Sequence, residues 1–384
     1  MRSVIALILV FSVLAGTSYY LSDRLYRGIS AFFPGVRFWP VLLIMCSLTL
    51  ILVVGFSRAL TPFPTGVKRI LGDVSGYYMG VFIYLLMFTV LSDLVLAVPR
   101  IMKLRFTAHH LFSGYVTVGV LVLTAVTCIY GFVNARQIDH VTYSIDLESR
   151  KVESDINVVM ISDLHLGAIG SESRLCDIVS EINKEEPDVV CIAGDFFDTD
   201  FSSIRDPNGA LEAIRGIRST YGVYACLGNH DGGSTHSQMR KFLNEAGIKV
   251  LDDAYEVIDD RFVLVGRLDG SAIGGYDGAV RKPISDYFTR EDTSLPVIVL
   301  DHNPANIGEY GAEADIILCG HTHKGQVFPA NIITDLIYSV DHGYYRKDAD
   351  SPHVVVSSGV GTWGMPMRVG TDSEVVSVRI TSGK

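Results

Sequence analysis

Five short segments in the C-terminal part of this chain place metal-ligating side chains directly after apolar runs. They are Ser162-Asp163-Leu164-His165, Gly194-Asp195-Phe196-Phe197-Asp198, Gly228-Asn229-His230-Asp231, Asp301-His302-Asn303-Pro304 and Gly320-His321-Thr322-His323. Together they offer carboxylate, amide and imidazole donors and no thiolate. Such a set suits Mn, Fe, Zn or Co, and the lack of thiolate argues against a structural zinc site. Two divalent ions held side by side by these donors would clamp a phosphate ester and activate a water to attack it.

Each segment contributes differently. Asp163 and His165 are one residue apart, a spacing that lets both turn toward one ion just past a strand. Asp195 has two oxygens and so can bridge two ions, and Gly194 lets the backbone come close. Asp198 is either an outer acceptor or an ordinary loop acid. If the Asn229 amide oxygen is a ligand, His230 stands beside the bound ester without being one. It can then protonate the leaving alkoxide as a general acid, with Asp231 orienting its ring. His302 is a lone histidine after a strand. His321 and His323 alternate around Thr322, so both reach one cleft only if the backbone turns, a freedom supplied by Gly320 and Lys324-Gly325. The expected ligands are therefore Asp163, His165, Asp195, Asn229, His302, His321 and His323.

The elements that must position these groups follow from periodicity. Val158–Ile161, Asp188–Ala193 and Val223–Leu227 are short apolar runs that read as buried strands. Between them, Leu175, Ile178, Val179 and Ile182 fall at helical spacing, as do Leu211, Ile214 and Ile217, then Met239, Phe242, Leu243 and Ala246. Strands alternating with helices predict βαβ units. The later runs, Lys249–Leu251, Tyr255–Ile258, Arg261–Val265, Val297–Leu300, Ile316–Cys319, His353–Ser357 and Glu374–Ile380, are strands with little helix between them. Two packed sheets, a four-layer-type α/β sandwich, fit this pattern better than one open sheet. Active sites in such folds lie beyond the carboxyl ends of the strands, which is where every segment above begins.

The 384 residues divide sharply in composition. Residues 1–150 carry a net +6 and residues 151–384 a net −16, from 20 Lys/Arg against 36 Asp/Glu. The first part holds four apolar runs, near 4–20, 39–56, 77–98 and 111–132, each near the ~20 residues that cross a bilayer. The reading is an all-α, four-helix transmembrane region at 1–133, a linker and lead-in strand at 134–156, and a catalytic domain at 157–384. A cleaved signal peptide is the alternative for the first run. Asp93 lies inside the third run, where a carboxylate is a functional candidate unless it reaches the interface. Basic residues are balanced between the two sets of loops, so the positive-inside rule does not choose a face. The six cysteines form no CxxC pair or disulfide framework.

The ordered series Asp-x-His, Gly-Asp-x-x-Asp, Gly-Asn-His-Asp, His and Gly-His-x-His resembles the calcineurin-like metallophosphoesterase family. The strings Gly320–Gln326 and Gly361–Arg368 resemble a membrane-associated bacterial branch of it. That branch has Gly where this chain has Lys324. The resemblance implies that Asp163, His165, Asp195 and His323 bind one ion and Asp195, Asn229, His302 and His321 the other. It also implies a water bridging the ions as nucleophile and His230 as the acid. Every position of the pattern is filled.

Monoester, diester and pyrophosphate substrates all suit such a site. The net −16 of the domain would repel long nucleic acid, whose binding depends on Lys/Arg contacts to phosphates, so no nucleic-acid partner is expected. The membrane runs point to a phosphorylated small molecule or lipid met at the bilayer. A lipid-linked nucleotide-sugar pyrophosphate is one candidate, since the family includes hydrolases of that kind. Arg267, Arg281 and Arg368 are candidate phosphate clamps, and Trp363, with Met365 and Met367, a candidate apolar rim. A membrane sensor or transporter with an accessory phosphoesterase is the reading from another class.

Overall fold

The computed structural model describes residues 2–56, 63–101, 110–147, 150, 152–167, 169–289 and 294–381. The chain separates into two compact units, residues 1–132 and 133–384.

The first unit is helical: α1 (Arg2–Phe32), α2 (Phe38–Gly55), α3 (Thr65–Ile101) and α4 (His110–Asn134). Among the described residues, three helical segments are long and apolar enough to cross a membrane: Phe38–Gly55, Gly66–Val98 and Leu111–Asn134. That is one fewer than the four expected. The first run is helical as part of α1, but several side chains at its start lie outside the described residues. Leu21, Met45, Leu52, Tyr78, Phe82, Leu85 and Val120 pack inward. Large apolar side chains such as Leu43, Ile44, Leu50 and Leu123 face outward, as lipid-facing positions would. Asp93 does not act alone. Its carboxylate accepts from the Tyr20 hydroxyl (2.6 Å) and pairs with Arg24 (2.7 Å), both on α1.

The second unit contains two six-stranded sheets packed face to face. The first has the order β1 (Ile138–Asp146), β12 (Ser373–Thr381), β2 (Ile156–Ile161), β3 (Val189–Ala193), β4 (Val223–Cys226), β5 (Ile248–Val250). From β2 to β5 its strands are parallel. Parallel neighbours need crossovers, and these are α5 (Leu175–Lys184), α6 (Pro207–Arg215) and α7 (His236–Glu245). α5 buries Leu175, Ile178, Val179 and Ile182, the stripe read from the sequence. Burial of each such side chain is worth roughly 1.5–3 kcal/mol. α6 begins cleanly because the Asp206 carboxylate caps the Gly209 N–H, with Pro207 at the first helical position.

The second sheet has the order β10 (Gly343–Tyr345), β11 (His353–Val356), β9 (Ile316–Cys319), β8 (Val297–Leu300), β7 (Phe262–Gly266), β6 (Ala254–Ile258). Met160, Cys191, Tyr224, Leu264, Ile298, Leu318 and Val378 fill the layer between the sheets. The outer face of the second sheet packs on Phe288, Tyr310, Ala314 and neighbouring 3-10 turns instead of long helices. This explains why the later strands showed no helical periodicity between them. Cys191, Cys226 and Cys319 are free and buried within strands. α8 (Ala330–Ile337), a two-turn helix, follows the last ligand segment. Neither it nor β10 was expected from the sequence.

Candidate metal centre

The C-terminal ends of β2, β3, β4, β8 and β9 converge, and each carries one of the five segments. Loop-to-loop hydrogen bonds lock them together. Asp163 N–H donates to Gly194 O (3.0 Å), His165 N–H to Asp195 O (3.1 Å) and Gly320 N–H to His302 O (2.9 Å). His230 N–H donates to an Asp195 oxygen (2.8 Å), and His321 N–H reaches both oxygens of Asp163 (3.1 Å).

The backbone is strained where the ligands sit. Asp163, His165, Asp195, His321 and His323 all have positive φ, between 48° and 74°. Side chains rarely adopt this region without compensation, and such strain clusters at functional sites. It supplies the turn that lets His321 and His323 face one cleft. Two glycines show how close the approach is. A Cβ on Gly194 would stand 2.5 Å from the His302 ring, and one on Gly228 would stand 2.3 Å from an Asp195 oxygen.

The expected ligand side chains fall into two groups around one carboxylate, and His165 also stands in a third cluster with Asp198 and His230. Asp163, His165 and His323 bring donor atoms together on one side, and Asp195, His302 and His321 on the other. In the first, His165 Nε2 and His323 Nε2 stand 3.0 Å apart. In the second, Asn229 Oδ1 lies 2.8 Å from His321 Nδ1 and 3.2 Å from His302 Nε2. Asp195 Oδ2 lies 3.1 Å from His302 Nε2 and 3.9 Å from His165 Nε2, and so looks into both.

The buried polar groups fit divalent cations. Asp163 and Asp195 are essentially inaccessible to solvent, yet the groups gathered around them are imidazoles, an amide, the Ser162 hydroxyl and backbone N–H, with no lysine or arginine ion pair among those described. Burying a carboxylate without a cation is expensive, and without metal the cations beside them are the imidazoliums of His302 and His165. The buried Nδ1 atoms of His165 and His323 have no hydrogen-bond partner. His302 Nδ1 lies 2.8 Å from Ala193 O. A carbonyl only accepts, so this nitrogen carries the proton and Nε2 keeps its lone pair for a ligand role.

The electrostatics agree. Burial works against the charged form of His302, but Asp195 and Asp163 outweigh it and hold its pKa well above the usual value. Burial likewise opposes protonation of His165, and the nearby carboxylates of Asp198 (3.6 Å from its Nδ1), Asp195 and Asp163 raise its pKa. Burial lowers His323, helped by His165 and Arg368, and lowers His321, helped by His302. Asp195 is held far below the carboxylate range: its burial is outweighed by His302, His165 and His230.

His230 lies at the rim of the cleft. Its Nδ1 is 2.8 Å from the Thr199 hydroxyl and 3.7 Å from Asp198, and its ring is edge-on to His165 at 5.0 Å. Burial lowers its pKa, partly offset by Asp195. The expected orienting role of Asp231 is corrected. Its carboxylate accepts from the backbone N–H groups of Phe197 (2.8 Å), Gly228 (2.8 Å) and Phe196 (3.3 Å). It ties the β3 and β4 loops together, and burial with the nearby Asp195 pushes it up to about 7. Thr199 holds the His230 ring instead. The sequence carried no signal for this beyond the short distance of Thr199 from Asp198.

The arginine clamps are corrected too. Arg368 is fully buried and donates to the carbonyls of Ser358, Gly359 and Gly361. Arg267 is buried on Lys282 O, Glu309 and Asp253. Arg281 pairs with Asp301 and Glu309. With these partners inside the domain, all three brace loops. Met365 and Met367 are buried, whereas Trp363 is half exposed with its ring 6.0 Å from that of His230.

The description "Calcineurin-like phosphoesterase" matches residues 156–325. A transmembrane protein with metallophosphoesterase domain from Danio rerio is 30% identical, over 78% of this chain and 71% of that protein. An uncharacterized metallophosphoesterase from Campylobacter jejuni is 29% identical, over 78% of this chain and 79% of that protein. A third, from Aquifex aeolicus, is 30% identical over 62% of this chain and 90% of its own length. With its donor side chains gathered at the strand ends, this chain belongs to the calcineurin-like phosphoesterase family and is a metal-dependent phosphoric ester hydrolase.

Proposed function

We propose that the protein is a multi-pass membrane phosphoesterase whose cleft takes two divalent ions and hydrolyses a phosphate ester or pyrophosphate met at the bilayer. The observation that carries the two-ion reading is Asp195, whose Oδ2 faces His302 on one side and His165 on the other. Asp163, His165, Asp195 and His323 would hold one ion, and Asp195, Asn229, His302 and His321 the other. Such ions, when bound, neutralise phosphate charge and supply hydroxide at neutral pH.

The chain's own residues do the rest. His230 stands beside the cleft with Nδ1 engaged by Thr199, leaving Nε2 to deliver a proton to the leaving oxygen. Its burial favours the neutral ring, and a phosphate dianion arriving next to it would favour the charged one. Substrate entry thus loads the acid. Asp231 keeps the Asn229 and Asp195 loops in register through the N–H groups of Gly228 and Phe197. The three apolar helical segments and the membrane-protein relatives support the anchoring.

The test is metal content and Mn²⁺-dependent hydrolysis by the full chain in detergent. A p-nitrophenyl monoester, a bis-p-nitrophenyl diester and a pyrophosphate-linked nucleotide lipid are compared, each beside Asn229→Ala. About two ions per chain and a rate lost in the variant support the reading. A single ion, or a rate indifferent to Asn229, overturns it.

A further inference from the structure

Much of the apolar surface of the second unit is gathered in one place. Of the twelve exposed large apolar side chains among its described residues, four lie on α8, Ile332, Ile333, Leu336 and Ile337, and two more are Phe328, just before it, and Trp363. Ile332, Ile333, Leu336 and Ile337 follow helical spacing along one face of α8, and Leu336 is 79% exposed. An exposed apolar helix face of this kind marks an interaction surface.

The patch runs up to the metal centre. α8 starts five residues after Gly325, which ends the turn carrying His323. Tyr338, just past α8, has its ring 6.3 Å from that of His321. Trp363 is tied to the segment between the His323 turn and α8, because the Gln326 side chain bonds both its N–H and its carbonyl oxygen. Gln326 O in turn accepts from Thr371 and Val369. The segment leading into α8 and Trp363, whose ring stands 6.0 Å from that of His230, are therefore held by one set of hydrogen bonds.

We infer that α8, with Phe328 and Trp363, seats in the surface of a lipid bilayer and delivers the cleft to a substrate whose phosphate stands at that surface. The inference rests on the membrane anchoring proposed above. Only three residues, 135–137, join α4 to β1, so a bilayer crossed by α4 begins within a few residues of the catalytic domain. A short helix with one apolar face and an indole at its edge is the form of an interfacial anchor. The domain's surplus of acidic residues, 36 against 20 basic over residues 151–384, means that the attraction is apolar burial and not anionic-lipid charge. It therefore holds on a zwitterionic bilayer and at high salt.

The experiment uses the full chain in phosphatidylcholine nanodiscs. Trp39→Phe leaves Trp363 as the one tryptophan. Lipids brominated in the acyl chains should quench its emission, and adding Ile333→Glu and Leu336→Glu should remove most of that quenching. Hydrolysis of phosphatidic acid in the same discs should fall about tenfold or more in that variant, given two apolar side chains withdrawn from lipid. Hydrolysis of soluble p-nitrophenyl phosphate should stay unchanged. Identical emission in brominated and plain lipids overturns the inference. Light scattering that shows the double variant halving the particle mass, without quenching in the parent, assigns the face to a second copy and also overturns it. Quenching needs no turnover. Lost hydrolysis with intact quenching therefore counts against the phosphoesterase reading alone.

Discussion

Two buried carboxylates at neighbouring strand ends have opposite fates. Asp195, after β3, meets His302, His165 and the backbone N–H of His230. Asp301, after β8, meets Arg281 at 2.7 Å and the Tyr310 hydroxyl at 2.6 Å. Both are inaccessible to solvent. One has its counter-charge built into the chain, while the other is surrounded by neutralisable donors that call for a cation from outside. His302, adjacent to Asp301 in sequence, turns the other way and joins Asp195. The residue types do not separate a metal site from a structural ion pair; the partners do.

The largest break in this contrast should come from Asp195→Ala. Removing the carboxylate that faces both donor groups should abolish turnover and bound metal together, read by elemental analysis and rate. His230→Ala should leave metal content unchanged and slow hydrolysis of a substrate with a poor leaving group by roughly 10²–10⁴-fold. Full rate in that variant would remove the acid role.

On the structural side, Arg281→Met leaves Asp301 buried and uncompensated. Breaking such a pair costs about 3–5 kcal/mol, which denaturant melts would register, while metal stoichiometry in the folded fraction stays the same. Loss of metal at equal stability would erase the distinction between the two carboxylates.

A pH series sharpens it further. His165 and His302 have raised pKa values in the metal-free state, so they stay protonated to higher pH than an ordinary histidine. His321 and His323 are lowered and are already neutral near pH 7. Metal binding must therefore expel protons from the first pair, and the apparent affinity should weaken as pH falls. Calorimetry in buffers of different ionisation enthalpy should find about one to two protons released per chain; none released would contradict the electrostatic picture.

The smallest effect belongs to Lys324. It sits at φ 50°, ψ 36°, a left-handed conformation that costs a non-glycine residue about 1–2 kcal/mol. Lys324→Gly relieves that but adds freedom to the unfolded chain worth about 0.5–1 kcal/mol. A stabilisation of at most about 1 kcal/mol is the expected outcome in a thermal melt.

Much of this was readable in the linear order. Apolar runs ending in Asp163, Asp195, Asn229, His302 and His321 announced strands with ligands at their carboxyl ends, because hydrophobic periodicity and donor chemistry are local properties. The stripe of α5 was legible for the same reason. Asp231 was misread because its three N–H donors lie up to 35 positions away. Adjacency to His230 in sequence says nothing of which way a carboxylate turns in a tight loop. Arg368 was misread because an arginine looks solvent-exposed on paper, and only the fold brings three carbonyls around it. α8 escaped because its eight residues are too few to show a helical period, and whether their apolar face is covered depends on distant contacts.

The sequence by itself therefore determined the strand-and-loop grammar, the donor set and the apolar segments, since each depends on residues close together in the chain. The tertiary structure alone decided which buried charges have internal partners, which hydroxyl holds His230 and which apolar face is left uncovered. Those outcomes depend on contacts between distant positions, where burial raises the energy of an unpaired charge enough to choose one arrangement.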